Sequence, residues 1–133
     1  MDGTVSRPRV VVLADDLIWQ TRLTGILEGI GAHVNRPRGG THEALTDRLA
    51  DTDGVVVDLT ARTYDAIAAI EQASAAGLRV VAVGQHDDAA LRKRALAAGA
   101  ERVYAYRKLF EDGPATFVKW LGADTLGIQE RYG

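Results

Sequence analysis

Cysteine is absent from the 133-residue sequence. Disulfides, thiolate zinc sites and cysteine nucleophiles are therefore excluded together. A strong charge of either sign is also missing: the formal net charge is −2. That balance gives no electrostatic case for general binding to nucleic acid or to an anionic membrane, and neither partner is expected. No apolar run approaches the roughly 20 residues needed to span a bilayer. The opening residues, Met1 to Pro8, lack the apolar stretch of a secretory signal, so 1–8 is expected to be a flexible lead-in. These absences are compatible with a cytoplasmic location, which is the expectation. There is no internal repeat and no low-complexity segment.

What remains is the composition of a globular domain, 47% hydrophobic and 26% charged. That apolar content can offset the entropy of ordering a chain of this length around one core. The expected organisation is one domain over 9–122, followed by a tail over 123–133 that holds no sustained apolar period.

Arg9–Ala14 is a short β-branched run that suits a strand covered on both faces. It stops at Asp15-Asp16. Ile18, Leu23, Ile26, Leu27 and Ile30 then recur at helical spacing until Gly29 and Gly31. Ala32–Asn35 reads as a weak second strand, and Thr41 can cap a helix through Leu45 and Leu49. Val55, Val56 and Val57 form a third strand that ends at Asp58, with a helix over Tyr64–Ala76. A fourth strand, Leu78–Val83, ends at Gly84. Asp87 or Asp88 can cap the helix that carries Leu91, Ala95, Leu96 and Ala98 and stops at Gly99. Arg102–Tyr106 is the fifth strand, and Pro114 suits the first turn of a last helix carrying Phe117, Trp120 and Leu121.

Five strands alternating with amphipathic helices argue for an α/β doubly wound parallel sheet of order 2-1-3-4-5. In that order strands one and three lie side by side, with a switch point at their carboxyl ends. Asp15, Asp16 and Asp58 all leave strands at that edge. Three carboxylates in one crevice repel one another, and a hard, oxygen-seeking cation such as Mg²⁺ would relieve the repulsion. Taken singly, each Asp at a strand end reads as a helix cap, Asp16 most of all. Their convergence shifts the balance toward a site.

The fragments Val11-Val12-Leu13-Ala14-Asp15-Asp16 and Gly54-Val55-Val56-Val57-Asp58-Leu59 resemble the two acidic motifs of bacterial response-regulator receiver domains. Asp65 falls where that family commonly has an Asp. Val80–Asp88 and Ala97-Ala98-Gly99-Ala100 resemble its fourth strand, loop and helix end. The resemblance runs from about Arg9 to Leu121. It implies a CheY-like, flavodoxin-like (βα)5 fold, and a phosphoprotein of two-component signal transduction or a phosphorelay rather than an enzyme. Asp58 would be the phosphoryl acceptor. Mg²⁺ would be held by Asp15, Asp16, Asp58 and the backbone carbonyl of Thr60. Partners would be a sensor histidine kinase or another signalling protein, with a homodimer through the last two helices and the strand between them as a further option.

The sequence departs from that pattern at the phosphate pocket. Where the family has Ser or Thr at the end of the fourth strand, Gly84 has no side chain. Where the fifth strand usually ends in Lys, the ungapped position is Tyr106, and a two-residue insertion makes it Lys108. Tyr donates a hydrogen bond but brings no positive charge. Arg62 stands where a Pro is common. The expected function is accordingly a stand-alone receiver-like signalling domain phosphorylated on Asp58. The alternative is a degenerate receiver that binds a partner whatever its phosphorylation state. A flavodoxin-like enzyme or small-ligand binder is a third reading from the fold alone, without a Gly-x-Gly-x-x-Gly after the first strand to support it.

Other features have bland readings that stay the default. Arg36–Thr41 is a basic, glycine-rich surface turn without P-loop spacing. His33, His42 and His86 show no metal-ligand spacing. Arg92, Lys93 and Arg94 suit a solvated helix face. Trp19, one turn past Asp16, is placed to pack near the mouth of the crevice.

Overall fold

In the computed structural model, residues 7–37, 50–85 and 87–122 are described. They form β1 (Arg9–Leu13), α1 (Leu17–Gly29), β2 (His33–Asn35), β3 (Gly54–Asp58), α2 (Ala66–Ala75), β4 (Arg79–Gly84), α3 (Ala89–Ala98), β5 (Arg102–Ala105) and α4 (Tyr106–Leu121). The helix expected to start at Thr41, together with His42, His86 and the tail over 123–133, lies outside the described residues.

The sheet is parallel throughout, in the order β2-β1-β3-β4-β5. Alternate residues of each strand feed two cores. Val10 and Val12 pack with Leu23, Leu27, Phe117 and Trp120, beneath α1 and α4. Val11 and Leu13 pack with Ala69, Ile70 and Ala73 on the opposite face, beneath α2 and α3. Helices on both faces leave no wet side, which is why β1, β3 and β4 read as continuous apolar runs rather than alternating ones.

Three helices begin at an Asp, each accepting from its own first turn. Asp16 accepts from the amides of Ile18 and Trp19, Asp65 from Ala68 and Asp88 from Leu91. Gly99 ends α3 at φ 125°, a conformation that side chains rarely adopt. An Arg79–Glu101 ion pair joins the starts of β4 and β5 at 3.0 Å.

The last part of the chain differs from the sequence expectation. The fifth strand stops at Ala105 because its neighbour β4 ends at Gly84, the residue opposite Ala105. With no further ladder partner, Tyr106 opens a helix instead of closing a strand. Pro114 begins only the second half of that helix. Proline lacks an amide proton and crowds the carbonyl four residues earlier, and the helix kinks at Asp112 (φ −147°, ψ 35°). The extra helical stretch, 106–111, carries Tyr106 to the crevice at the carboxyl edge.

Candidate functional site

The parallel register places the end of β1 beside the end of β3: Leu13 pairs with Val57, one residue before Asp58. Asp15, Asp16, Asp58, Thr60, Ala61 and Arg62 line one cleft of about 230 Å³ at this edge. Asp15 and Asp16 are exposed, whereas Asp58 is 1% exposed.

Each carboxylate is engaged by the protein itself. Asp58 Oδ1 accepts from the Thr60 amide at 3.1 Å and from the Thr60 hydroxyl at 2.9 Å. It also accepts a short hydrogen bond from the Tyr106 hydroxyl, which in turn lies 2.7 Å from Thr60 Oγ1. Asp15 Oδ2 accepts from the amides of Arg62 (2.6 Å) and Thr63 (2.9 Å), and Oδ1 from the Thr63 hydroxyl (2.5 Å). Asp16 Oδ1 caps α1. Below them, the Tyr64 hydroxyl sits between the carbonyls of Leu13 (2.6 Å) and Asp58 (2.9 Å), tying the ends of β1 and β3 together.

Burial pushes the Asp15 carboxyl up, but the Thr63 hydroxyl and the Thr63 and Arg62 amides outweigh it and hold its pKa below the usual value. Burial, and next the hydrogen bond to Asp58, push the Tyr106 phenol up. Burial, with the negative charges of Asp58 and Asp15, does the same to Tyr64. Both phenols are thus kept as neutral donors.

Tyr106 also faces outward. Its ring lies 4.4 Å from that of Trp19, tilted by 35°. The Arg22 guanidinium covers Trp19 at 5.4 Å and Phe110 at 4.6 Å. Gly84 is buried, and a Cβ added there would meet Leu59 Cδ1 at 3.2 Å. A side chain at the end of β4 requires Leu59 to give way by a few tenths of an ångström. Lys108 is exposed and lines a different groove, with Arg79, Glu101, Arg102, Tyr104 and Lys119 among its walls.

Solved structures similar to this chain share its architecture. A response regulator from Burkholderia pseudomallei, solved with a phosphorylated aspartic acid, calcium and citrate, aligns over 95% of this chain and 73% of its own, with a TM-score of 0.70 and 18% identity. The chain has the receiver fold. A CheY-like receiver domain from Methanospirillum hungatei JF-1 aligns over 96% of this chain and all of its own, with a TM-score of 0.71 and 19% identity. The BeF3-activated DrrB receiver domain covers 87% of this chain and 98% of its own, with a TM-score of 0.74 and 17% identity. No protein-family model matches the sequence, and no curated protein matches it.

The cation-binding chemistry associated with this fold can be tested on the residues present. Mg²⁺ demands near-octahedral oxygen ligands at short range. Among the described residues no group of three or more ligating side chains stands close enough to share an ion. Asp15 turns both oxygens to the loop after β3, and one oxygen of Asp58 is given to Thr60 and Tyr106. Asp16 Oδ2 and Asp58 Oδ2 accept no hydrogen bond among the described residues, so these two carboxylates are the ones that would hold Mg²⁺, with water completing its shell.

Sequence reasoning placed the aspartates at the right edge but did not find the donors that hold them. Thr60 carried a usable signal, since an Asp side chain commonly bonds the backbone two residues on. Thr63 and Tyr64 carried none, because only the path of the loop turns them toward Asp15 and the strand ends.

Proposed function

We propose that this chain is a receiver-like signalling module that passes its signal by protein contact, with Asp58 held by internal hydrogen bonds rather than kept free for phosphorylation. The observation that carries this reading is the Tyr106 hydroxyl donating to Asp58 Oδ1. An attacking carboxylate must reach phosphorus in line, and this one is buried with one oxygen already engaged. A transferred phosphoryl group would bring about two negative charges into a cleft whose described neighbours supply no hydroxyl at Gly84 and no ammonium at Tyr106.

The surface beside the crevice suits contact. Leu17 and Phe110 are 72% and 66% exposed, and Ile18 is similar. Arg22 lies over Phe110 with no acid within ion-pair reach among the described residues. A sensor histidine kinase, or another signalling protein that offers apolar side chains and a carboxylate to Arg22, fits this chemistry. A homodimer through α3, β5 and α4 is a separate option. Among the described residues no helix is long and apolar enough to cross a membrane.

One observation favours the phosphoacceptor reading: Asp15, Asp16 and Asp58 line a common cleft. On that reading an Asp58 oxygen forms a bond to phosphorus while the donor's P–O bond breaks and its leaving group takes the electron pair. Intact mass after incubation with acetyl phosphate and Mg²⁺ separates the two. The contact reading expects no adduct. One added phosphoryl group that disappears in Asp58→Asn overturns it in favour of the acceptor.

A further inference from the structure

We propose that the groove between β5 and α4 docks an acidic, extended segment of a partner protein, one carboxylate meeting Lys108 and another, further along the segment, meeting Arg102 and Lys119. This surface lies apart from the acidic crevice and from Arg22, and its occupancy does not depend on the chemistry of Asp58.

The groove has a volume of about 480 Å³, and its walls come from β5, α4 and the start of β4. β5 is an edge strand of the sheet, and α4 doubles back along it. The last turn of α4 therefore lies beside the start of β5, where the Trp120 indole reaches Glu101 Oε2 at 3.4 Å. Lys108, Asp112, Ala115 and Lys119 all line the groove. They follow one another at steps of three and four residues, the spacing of a single helix face.

The charges of the groove are unequally matched. Arg79 holds Glu101 through hydrogen bonds of 3.1 and 3.0 Å. Arg102, Lys108 and Lys119 are exposed and form no ion pair among the described residues. Against these three cations stands Asp112, which likewise has no ion pair among the described residues. An excess of one sign steers a partner of the other sign and fixes its register.

Spacing decides which anion fits. Lys108 and Lys119 are 11 residues apart on α4, about 16 Å by the helical rise. That span is too long for one small anion. In an extended chain residues i and i+4 point to the same side about 13 Å apart, and two long lysine side chains close the difference. A nucleic acid carries a phosphate at every nucleotide and would have to lay negative charge over Asp112, between the two ends. A peptide can place a neutral hydroxyl there. A second copy of this chain, paired symmetrically through the same groove, would set like charges against each other.

The test uses the peptide acetyl-Glu-Thr-Val-Thr-Glu-amide, titrated into the full chain at low salt and followed by backbone amide chemical shifts. Saturable shifts confined to β5, α4 and the start of β4 are expected. Lys108→Glu combined with Lys119→Glu is expected to weaken binding about tenfold, because each attraction becomes a repulsion. The same peptide with Gln at both ends should bind wild-type protein about as weakly. Lys108→Gln with Lys119→Gln serves if the charge reversal lowers the urea midpoint, with a smaller loss expected. The absence of saturable shifts, or equal affinity for the Gln-ended peptide, overturns the proposal. Citrate producing the same shifts at the same concentration makes the groove a small-anion site, and an oligothymidine that binds more tightly than the peptide makes it a nucleic-acid site; either result also overturns it. A dimer in sedimentation equilibrium that the double variant dissociates makes a second copy the occupant instead.

Discussion

Tyr106 and Asp58 are 48 residues apart in the chain and share a hydrogen bond at the carboxyl edge of the sheet, the phenol donating to Oδ1. Removing that donor tests its weight. Tyr106→Phe keeps the ring on Trp19 but leaves the buried carboxylate with Thr60 as its side-chain partner among the described residues. The expected loss is about 1.5–3 kcal/mol, the range for a hydrogen bond to a charged group. Urea unfolding of the two proteins reads it, and an unchanged midpoint would show that the bond contributes nothing net.

Asp15 predicts the acid limb of the stability curve. Its folded pKa lies below the ordinary 3.8, because hydrogen bonds from Thr63 and Arg62 overcome the effect of burial. The unfolded chain therefore binds the proton first as pH falls. The contribution is present above about pH 4 and is lost as pH drops through the folded value. Asp15→Asn is expected to flatten the loss of stability in that window, as measured by denaturant midpoints across acid pH. An unaltered acid limb would remove Asp15 from the account.

The phenols predict the alkaline limb with the opposite sign. Burial raises Tyr64, Tyr104 and Tyr106 above the ordinary 10.0. Above that pH the unfolded chain releases protons that the folded chain retains, so stability present below about pH 10 declines as pH rises. Phenolate absorbance of the native protein should lag behind that of the denatured protein. Coincident titration curves would contradict the burial and bonding assigned to these rings.

Gly54 predicts a packing constraint at the far edge. A Cβ added at this first residue of β3 would meet Trp120 at 2.8 Å, and the ring is buried against it. Gly54→Ala should cost about 1–3 kcal/mol by overpacking, seen as a lower thermal midpoint. A neutral result would mean that the Trp120 ring shifts freely.

Much of the fold was legible because local chemistry and tertiary role agree. Val55, Val56 and Val57 are β-branched, apolar and buried on both faces of the sheet, so their run reads as an interior strand. Asp16, Asp65 and Asp88 cap helices through bonds spanning two or three residues, a range that a sequence shows directly. The end of β5 was less legible. Tyr106 is a good strand residue, and its helical conformation follows from where β4 stops, a fact held by another part of the chain.

The sequence by itself determined the alternation of strands and helices, the parallel sheet, and the gathering of Asp15, Asp16 and Asp58 at one edge. Periodicity and β-branching act locally, and the right-handed crossover leaves few ways to connect the strands. Only the tertiary structure decided which donors those carboxylates meet. Their partners, Thr63 for Asp15 and Tyr106 for Asp58, come from segments 48 residues away in each case. A hydrogen bond depends on tenths of an ångström and on direction, and neither quantity is written in the spacing of residues along a chain.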